Sequence, residues 1–201
     1  MREAQAQQTR RRILEAATRC FRERGYSGTT VAQIAREAKV SAESVAANGP
    51  KASLLLAAFE LAFTGREGAD PVSGREELTG MLVIDDVEEM LRAFARFALR
   101  IQSDGIGMWR ALQDAANLDE SVSALYRGLM DRRRLDHEML AAALAERRVL
   151  RTDRTVEELG ATLALLSGFD PYQLLVLDFG WSEEAYLEWW IDSARRLLLA
   201  G

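Results

Sequence analysis

The sequence is short of the residues that cross-link, coordinate or break a chain. It holds one cysteine, Cys20, so no disulfide can form within it, and a reducing, cytoplasmic setting is expected. Its single histidine, His137, has no second imidazole or nearby thiol to share a metal with, so no metal site is expected. His137 reads instead as a packed or part-exposed helix residue, with a place in a ligand pocket as the lesser reading. Only 3 prolines accompany 48% hydrophobic residues, a balance that favours helix. No apolar run approaches the roughly 18 residues that mark a membrane span. The opening MREAQAQQTRRR has no apolar middle of the kind a signal peptide needs. No membrane association is therefore expected. There is no glycine-rich phosphate loop, nucleophile elbow or paired catalytic constellation, which argues against an enzyme, catalytic residues or a cofactor. Asp85, Asp86, Glu88 and Glu89 are more simply carboxylates at the positive end of a helix dipole.

What is present is unevenly charged. The net charge is -5, but residues 1–51 carry 10 Lys and Arg against 5 Asp and Glu, and the remainder carries 16 against 26. A basic first quarter joined to an acidic remainder points to a polyanion met by the first quarter alone.

The periodicity is helical throughout. Ile13, Leu14, Ala17, Cys20 and Phe21 share one face of a first helix, Arg10, Arg11, Arg12, Arg19 and Arg22 the other, and Gly25 closes it. Thr30 with Gln33 forms a capping box for a second helix near 30–37, with Ile34 and Ala38 inward. After a turn at Ala38-Lys39-Val40, Ser41 caps a third helix, 41–47. Gly49 supplies a left-handed stop and Pro50 the first position of a fourth, through LLLAAFELAF to Gly65. Residues 65–84 are rich in glycine and read as a mobile loop. Asp85 with Glu88 caps the next helix, and others are expected near 106–117, 120–147 and 155–168, the last capped by Thr155 with Glu158. Asp170-Pro171 begins a short helix that stops at Gly180, and Ser182 caps a final one at 183–199. The expected fold is all-α.

Two short capped helices joined by a tight turn form the helix-turn-helix pattern, whose second helix lies in the DNA major groove. Small side chains suit a groove about 12 Å wide. Val45 and Ile34 anchor the third helix, and Ala42, Glu43, Ser44 and Ala47 are expected to face base edges. Glu43 would accept from a cytosine amino group, Ser44 would bond a base or phosphate, and helix N-termini and Lys51 would hold phosphates. Thr29, Thr30, Ser41, Asn48 and Arg11 complete the expected DNA-binding set, with phosphate contact from at least one of the arginines 10–12.

The run ILEAATRCFRERGYSGTTVAQIAREAKVSAESV resembles the N-terminal domain of TetR-family transcriptional regulators. The resemblance rests on Ile13, Ala16, Ala17, Phe21, Gly25, Tyr26, Thr29, Thr30, Val31, Ile34, Ala35, Ala38, Val40, Ser41 and Val45, and covers about the first 60 residues. It implies a homodimer on double-stranded DNA, with a small-molecule effector in the larger domain. Three positions depart from the family pattern. Lys39 stands where a turn glycine is usual, Ala46 where a phosphate-bonding aromatic is usual, and Gly49 where an aromatic precedes the fourth helix.

The expected division is therefore a helix-turn-helix domain over 1–50 and a ligand-binding and dimerisation domain over 51–201. Met90, Phe94, Phe97, Met108, Trp109, Tyr126, Met130 and Phe169 form a Met- and aromatic-rich set, with Arg110, Gln113 and Asn117 near it. Most of it reads as core, and the rest as the lining of a pocket for an apolar or aromatic effector. Leu159, Leu163, Leu166, Tyr186, Trp189, Trp190 and Leu197 give the last helices more apolar surface than one terminal helix needs, as a two-fold interface would. The expected function is a ligand-responsive repressor released from a palindromic operator. The alternative is a dimeric helical small-molecule-binding protein that has lost specific DNA binding.

Overall fold

The computed structural model describes residues 2–64 and 76–200, so the first part, 65–75, of the loop expected over 65–84 lies outside the described residues. The chain opens with α1 (Arg2–Arg24), α2 (Val31–Ala38), α3 (Ala42–Ala46) and α4 (Lys51–Thr64). It continues with α5 (Glu76–Leu82), α6 (Val87–Leu118), α7 (Glu120–Glu146), α8 (Val156–Leu166) and α9 (Phe169–Tyr172). A π-helical turn, Gln173–Asp178, follows, and α10 (Glu183–Leu198) closes the fold. Among the described residues the only β pairing is a single bridge between Leu150 and Leu199. The fold is all-α.

The caps form where local sequence asks for them. Thr30 accepts from the Gln33 amide while the Gln33 side chain accepts from the Thr30 amide, and Thr155 and Glu158 repeat the arrangement. Ser41 and Ser182 accept from the amides of Ser44 and Ala185. Gly25 (φ 66°) ends α1, its amide donating to the Phe21 carbonyl at 2.9 Å.

Three expectations change. Part of the stretch expected as loop is α5, whose Leu78 and Met81 are buried. The helix before residue 105 and the one expected near 106–117 are one helix, α6. A glycine inside a helix costs about 1 kcal/mol relative to alanine. The buried Met108, Trp109 and Leu112 beyond Gly105 and Gly107 offset that. The side-chain cap of α6 is Asp86, not Asp85, with the Glu89 amide donating to it at 2.8 Å.

The chain divides into two compact units, Met1–Gly68 with Gly105–Leu129, and Ala69–Asp104 with Met130–Gly201. The core of the first comes from α1 and α4. Ile13, Leu14, Ala17, Cys20 and Phe21 are buried as their spacing implies, against Leu54, Leu55, Ala58 and Phe59. In the second unit α8 packs on α10, and both are tied to α6. Trp190 Nε1 donates to the Leu166 carbonyl at 2.9 Å, and the fully buried Gln102 amide donates to the carbonyls of Gly168 (2.5 Å) and Leu166 (3.2 Å). The Leu166 carbonyl, at the end of α8, has no partner inside that helix, so these donors meet a need that every helix end has. Arg195 grips Glu88 through two bonds of 2.7 and 2.8 Å, a side-on pair on the surface that solvent screens.

Candidate nucleic-acid interface

The turn between α2 and α3 is built on a left-handed lysine. Lys39 has φ 55° and ψ 47°. Its amide donates to Arg36 O (3.2 Å) and the Val40 amide to Ala35 O (3.0 Å), the paired bonds of a Schellman ending. A non-glycine residue in this conformation costs roughly 1–2 kcal/mol. The surroundings fix it: Arg12 Nη2, from α1, donates to Ala38 O at 2.7 Å and reaches Lys39 O at 3.3 Å.

A second arginine fixes the far end of α3. Arg10 Nη1 donates to Asn48 O (2.8 Å) and reaches Asn48 Oδ1 (3.3 Å), while Asn48 Nδ2 donates back to Ser44 O (2.7 Å). Two of the three consecutive arginines thus brace the helix-turn-helix from behind. Arg11 is the one facing outward, paired with Glu15 on its own helix at 3.0 Å. Beyond Asn48, Gly49 (φ 119°) turns the chain, and Pro50 O receives the Leu54 amide, so Pro50 stands just before the first residue of α4.

The expected DNA-contacting residues therefore separate into two groups. Thr30, Ser41, Ala42, Glu43 and Ala47 are exposed on one stretch of chain, Ser44 is half-buried, and Arg11 is exposed on α1. Val45 is the single buried residue of α3. Thr29, Asn48 and Lys51 are turned to internal use. Thr29 is 1% exposed, with its hydroxyl 2.8 Å from Gly25 O and 3.0 Å from Cys20 O. Lys51 Nζ donates to the carbonyls of Tyr26 (2.9 Å) and Thr29 (3.0 Å) and sits 3.9 Å from the centre of the Tyr26 ring. Burial pulls the Lys51 ammonium below its ordinary range, and Asp119 opposes that. Glu43 is held below the usual carboxylate range by its own backbone amide and by the Ser41 hydroxyl, so it is ionised at neutral pH.

The bracing roles of Arg10, Arg12 and Lys51 are not in the sequence pattern, because each joins residues more than 20 positions apart. The only sequence hint was the density of positive charge around two short helices.

The residues expected to line a pocket fall into both units. Met108, Trp109, Gln113 and Tyr126 belong to the first, where Trp109 lies between Phe59 (6.0 Å) and Tyr126 (5.7 Å). Met90, Phe94, Phe97, Met130 and Phe169 belong to the second. There Met90 and Phe94, with Leu91, Leu144, Leu163 and Trp190 among others, border an apolar cavity of about 20 Å³. That is about the room of one water molecule, and a lining without polar atoms keeps such a space dry. His137, in the second unit, lies 2.6 Å through Nδ1 from Arg133 O, and burial lowers its pKa.

The residues expected at a two-fold interface divide likewise. Leu159, Leu163, Leu166, Tyr186 and Trp190 are taken up in the chain's own core. Trp189 is half-buried and Leu197 is 47% exposed. Leu165, 60% exposed on α8, and Phe179, 64% exposed after the π-helical turn, are large apolar surface residues of the same region that the periodicity did not single out.

A short capped helix presented outward beyond a tight turn, braced from a first helix, is a helix-turn-helix. Residues 13–46 match the family described as bacterial regulatory proteins, tetR family. Among curated proteins none matches the chain. Solved structures share the fold over nearly its whole length. A TetR transcriptional regulator from Chloroflexus aurantiacus is 20% identical, with 100% of each chain covered and a TM-score of 0.66. NalD from Pseudomonas aeruginosa, the secondary repressor of the MexAB-OprM multidrug efflux pump, is 22% identical over 96% of this chain and 98% of its own, with a TM-score of 0.66. A protein of Saccharomonospora viridis assigned as a transcriptional regulator, solved with choline, is 22% identical over 97% of this chain and 100% of its own, with a TM-score of 0.69. The helix-turn-helix over residues 13–46 thus resembles that of the tetR family, and the chain shares the all-helical fold of these solved structures.

Proposed function

We propose that the protein is a transcriptional repressor that binds a palindromic operator as a homodimer and is released by a small-molecule effector. The observation that carries this is α3 itself. It has five residues, one of them buried, and its exposed positions are alanine and glutamate. Such a helix adds almost nothing to a core, yet Arg12 braces the turn before it and Arg10 the residue just past its C-cap. An element held this firmly and packed this little is shaped for contact with something else, and its width suits the major groove.

The homodimer is expected to use the outward faces of α8 and α10, through Leu165, Trp189 and Leu197, with recognition helices about 34–36 Å apart on one face of the duplex. A repressor and a choline-bound protein among the solved relatives support repression and small-molecule binding on this fold. The effector is expected to be apolar or aromatic, given the residues of the Trp109–Tyr126 and Met90–Phe94 groups. Coupling of about 1–3 kcal/mol between effector and DNA changes operator affinity by roughly 5–150-fold. A mobility-shift assay with DNA upstream of the protein's own gene, at low salt, tests the reading. A shift that survives excess unrelated duplex is expected. No sequence-selective shift would return the reading to a binding protein without DNA recognition.

A further inference from the structure

The outward face of α3 is short of hydrogen-bond donors, and the internal bonding explains why. The Asn48 amide is bound to Ser44 O, Arg10 to Asn48, and Lys51 to the carbonyls of Tyr26 and Thr29. Ser41 Oγ accepts the Ser44 amide (3.1 Å) and lies 3.2 Å from Ser44 Oγ. Within α3 and its C-cap the exposed residues are Ala42, Glu43, Ala46 and Ala47, with Ser41 exposed at the N-cap and Lys39 in the turn before it. Glu43 is the one charged side chain in this helix, and an ionised carboxylate only accepts.

This chemistry selects among the four bases. In the major groove guanine shows two acceptors, N7 and O6, which face a carboxylate unfavourably. Adenine pairs its amino donor with an acceptor at N7, a pattern that suits an amide side chain. Cytosine shows a lone amino donor, and thymine an acceptor with a methyl group that suits alanine.

We propose that Glu43 reads the N4 amino group of a cytosine, with alanine methyls of the same helix against neighbouring thymine methyls, so that each operator half-site holds a C·G pair at one fixed position beside T·A pairs. This rests on the DNA-binding reading above and adds the sequence class that the helix accepts. A carboxylate near phosphates also weakens binding to arbitrary DNA, so one residue both reads a base and sharpens selectivity.

The experiment is selection of duplexes from a random library by the full chain and by Glu43→Gln and Glu43→Ala. It is followed by competition between the selected duplex and versions changed at each position. The wild-type protein is expected to select cytosine at one position per half-site and to discriminate there by roughly 5- to 150-fold. Both substitutions are expected to flatten the preference at that position alone, with Glu43→Gln moving it toward adenine, and to raise affinity for unrelated DNA. Discrimination kept at the other positions shows that the variants are folded. A wild-type site without cytosine, or variants that select the same site as wild type, overturns this inference and leaves the DNA-binding reading standing. Loss of binding to every duplex by both variants also overturns it, because a single base contact acts at one position. If the wild-type protein selects no sequence at all, both readings fall.

Discussion

The hydroxyl of Tyr26 donates to Oδ2 of Asp119 at 2.8 Å, joining the turn after α1 to the corner between α6 and α7. The same tyrosine stacks on Phe21 and lies under the Lys51 ammonium. The other Asp119 oxygen accepts from the amide and hydroxyl of Ser121 at 2.9 and 2.5 Å. The first compact unit thus ties its helix-turn-helix to the α6–α7 corner through one buried ring. Under the proposed mechanism, an effector that shifts this corner would move the reading helix with it.

That link should be visible in acid. The bonds from Ser121 and then Tyr26 hold the Asp119 carboxyl down to about 2, from an ordinary 3.8. A depressed carboxyl pKa stabilises the fold above its unfolded value, and that contribution disappears as pH falls through the folded value. Between about pH 4 and about pH 2, thermal melts of wild-type protein should therefore fall more steeply than those of Asp119→Asn. Parallel curves would show that the link adds nothing.

The left-handed Lys39 predicts a stabilising substitution. Lys39→Gly removes the Cβ strain while keeping both bonds of the helix ending, and should gain about 0.5–1 kcal/mol in urea unfolding. A loss would mean that the lysine stem packs more tightly than its exposure suggests.

Two glycines should respond in opposite directions. A Cβ on Gly28 would stand 2.3 Å from the Arg24 carbonyl oxygen, so Gly28→Ala must displace backbone and should destabilise by about 1–3 kcal/mol. Gly128 is exposed in α7 with nothing within 4 Å of a new Cβ. Gly128→Ala should stabilise by roughly 0.5–1 kcal/mol through helix propensity alone. Chemical unfolding of both variants checks the pair.

The three adjacent arginines should separate by role. Arg12→Ala removes a charged donor from the Ala38 carbonyl and should lower stability by about 1 kcal/mol. Arg11→Ala should leave stability within about 0.5 kcal/mol, yet reduce the dependence of DNA affinity on salt by about one phosphate contact. Unfolding and binding titrations on the same preparations distinguish the two.

Much of the fold was legible because it is local. Thr30 with Gln33, Thr155 with Glu158, Ser41 and Ser182 cap helices with partners three residues away, and the tight turn at Lys39 follows from the spacing of two short helices. Apolar stripes marked which faces are buried but not what buries them. Tyr186 and Trp190 read as a two-fold interface and are core within the single chain. Gly105 and Gly107 read as a break, yet α6 runs through them because residues on both sides are buried. At the candidate interface, the exposed small residues of α3 followed from the pattern. The inward turn of Thr29, Asn48 and Lys51 did not, because their partners in α1 and its following turn are set by tertiary packing.

The most direct test is the affinity of the purified protein for its selected duplex and for a scrambled duplex of equal length, measured by fluorescence anisotropy across a salt series. Tighter binding to the selected duplex is expected at every salt concentration. The log-log slopes are expected to be steeply negative, by roughly 0.9 for each phosphate neutralised. Equal affinity for the two duplexes, or binding to neither at low salt, would contradict that expectation.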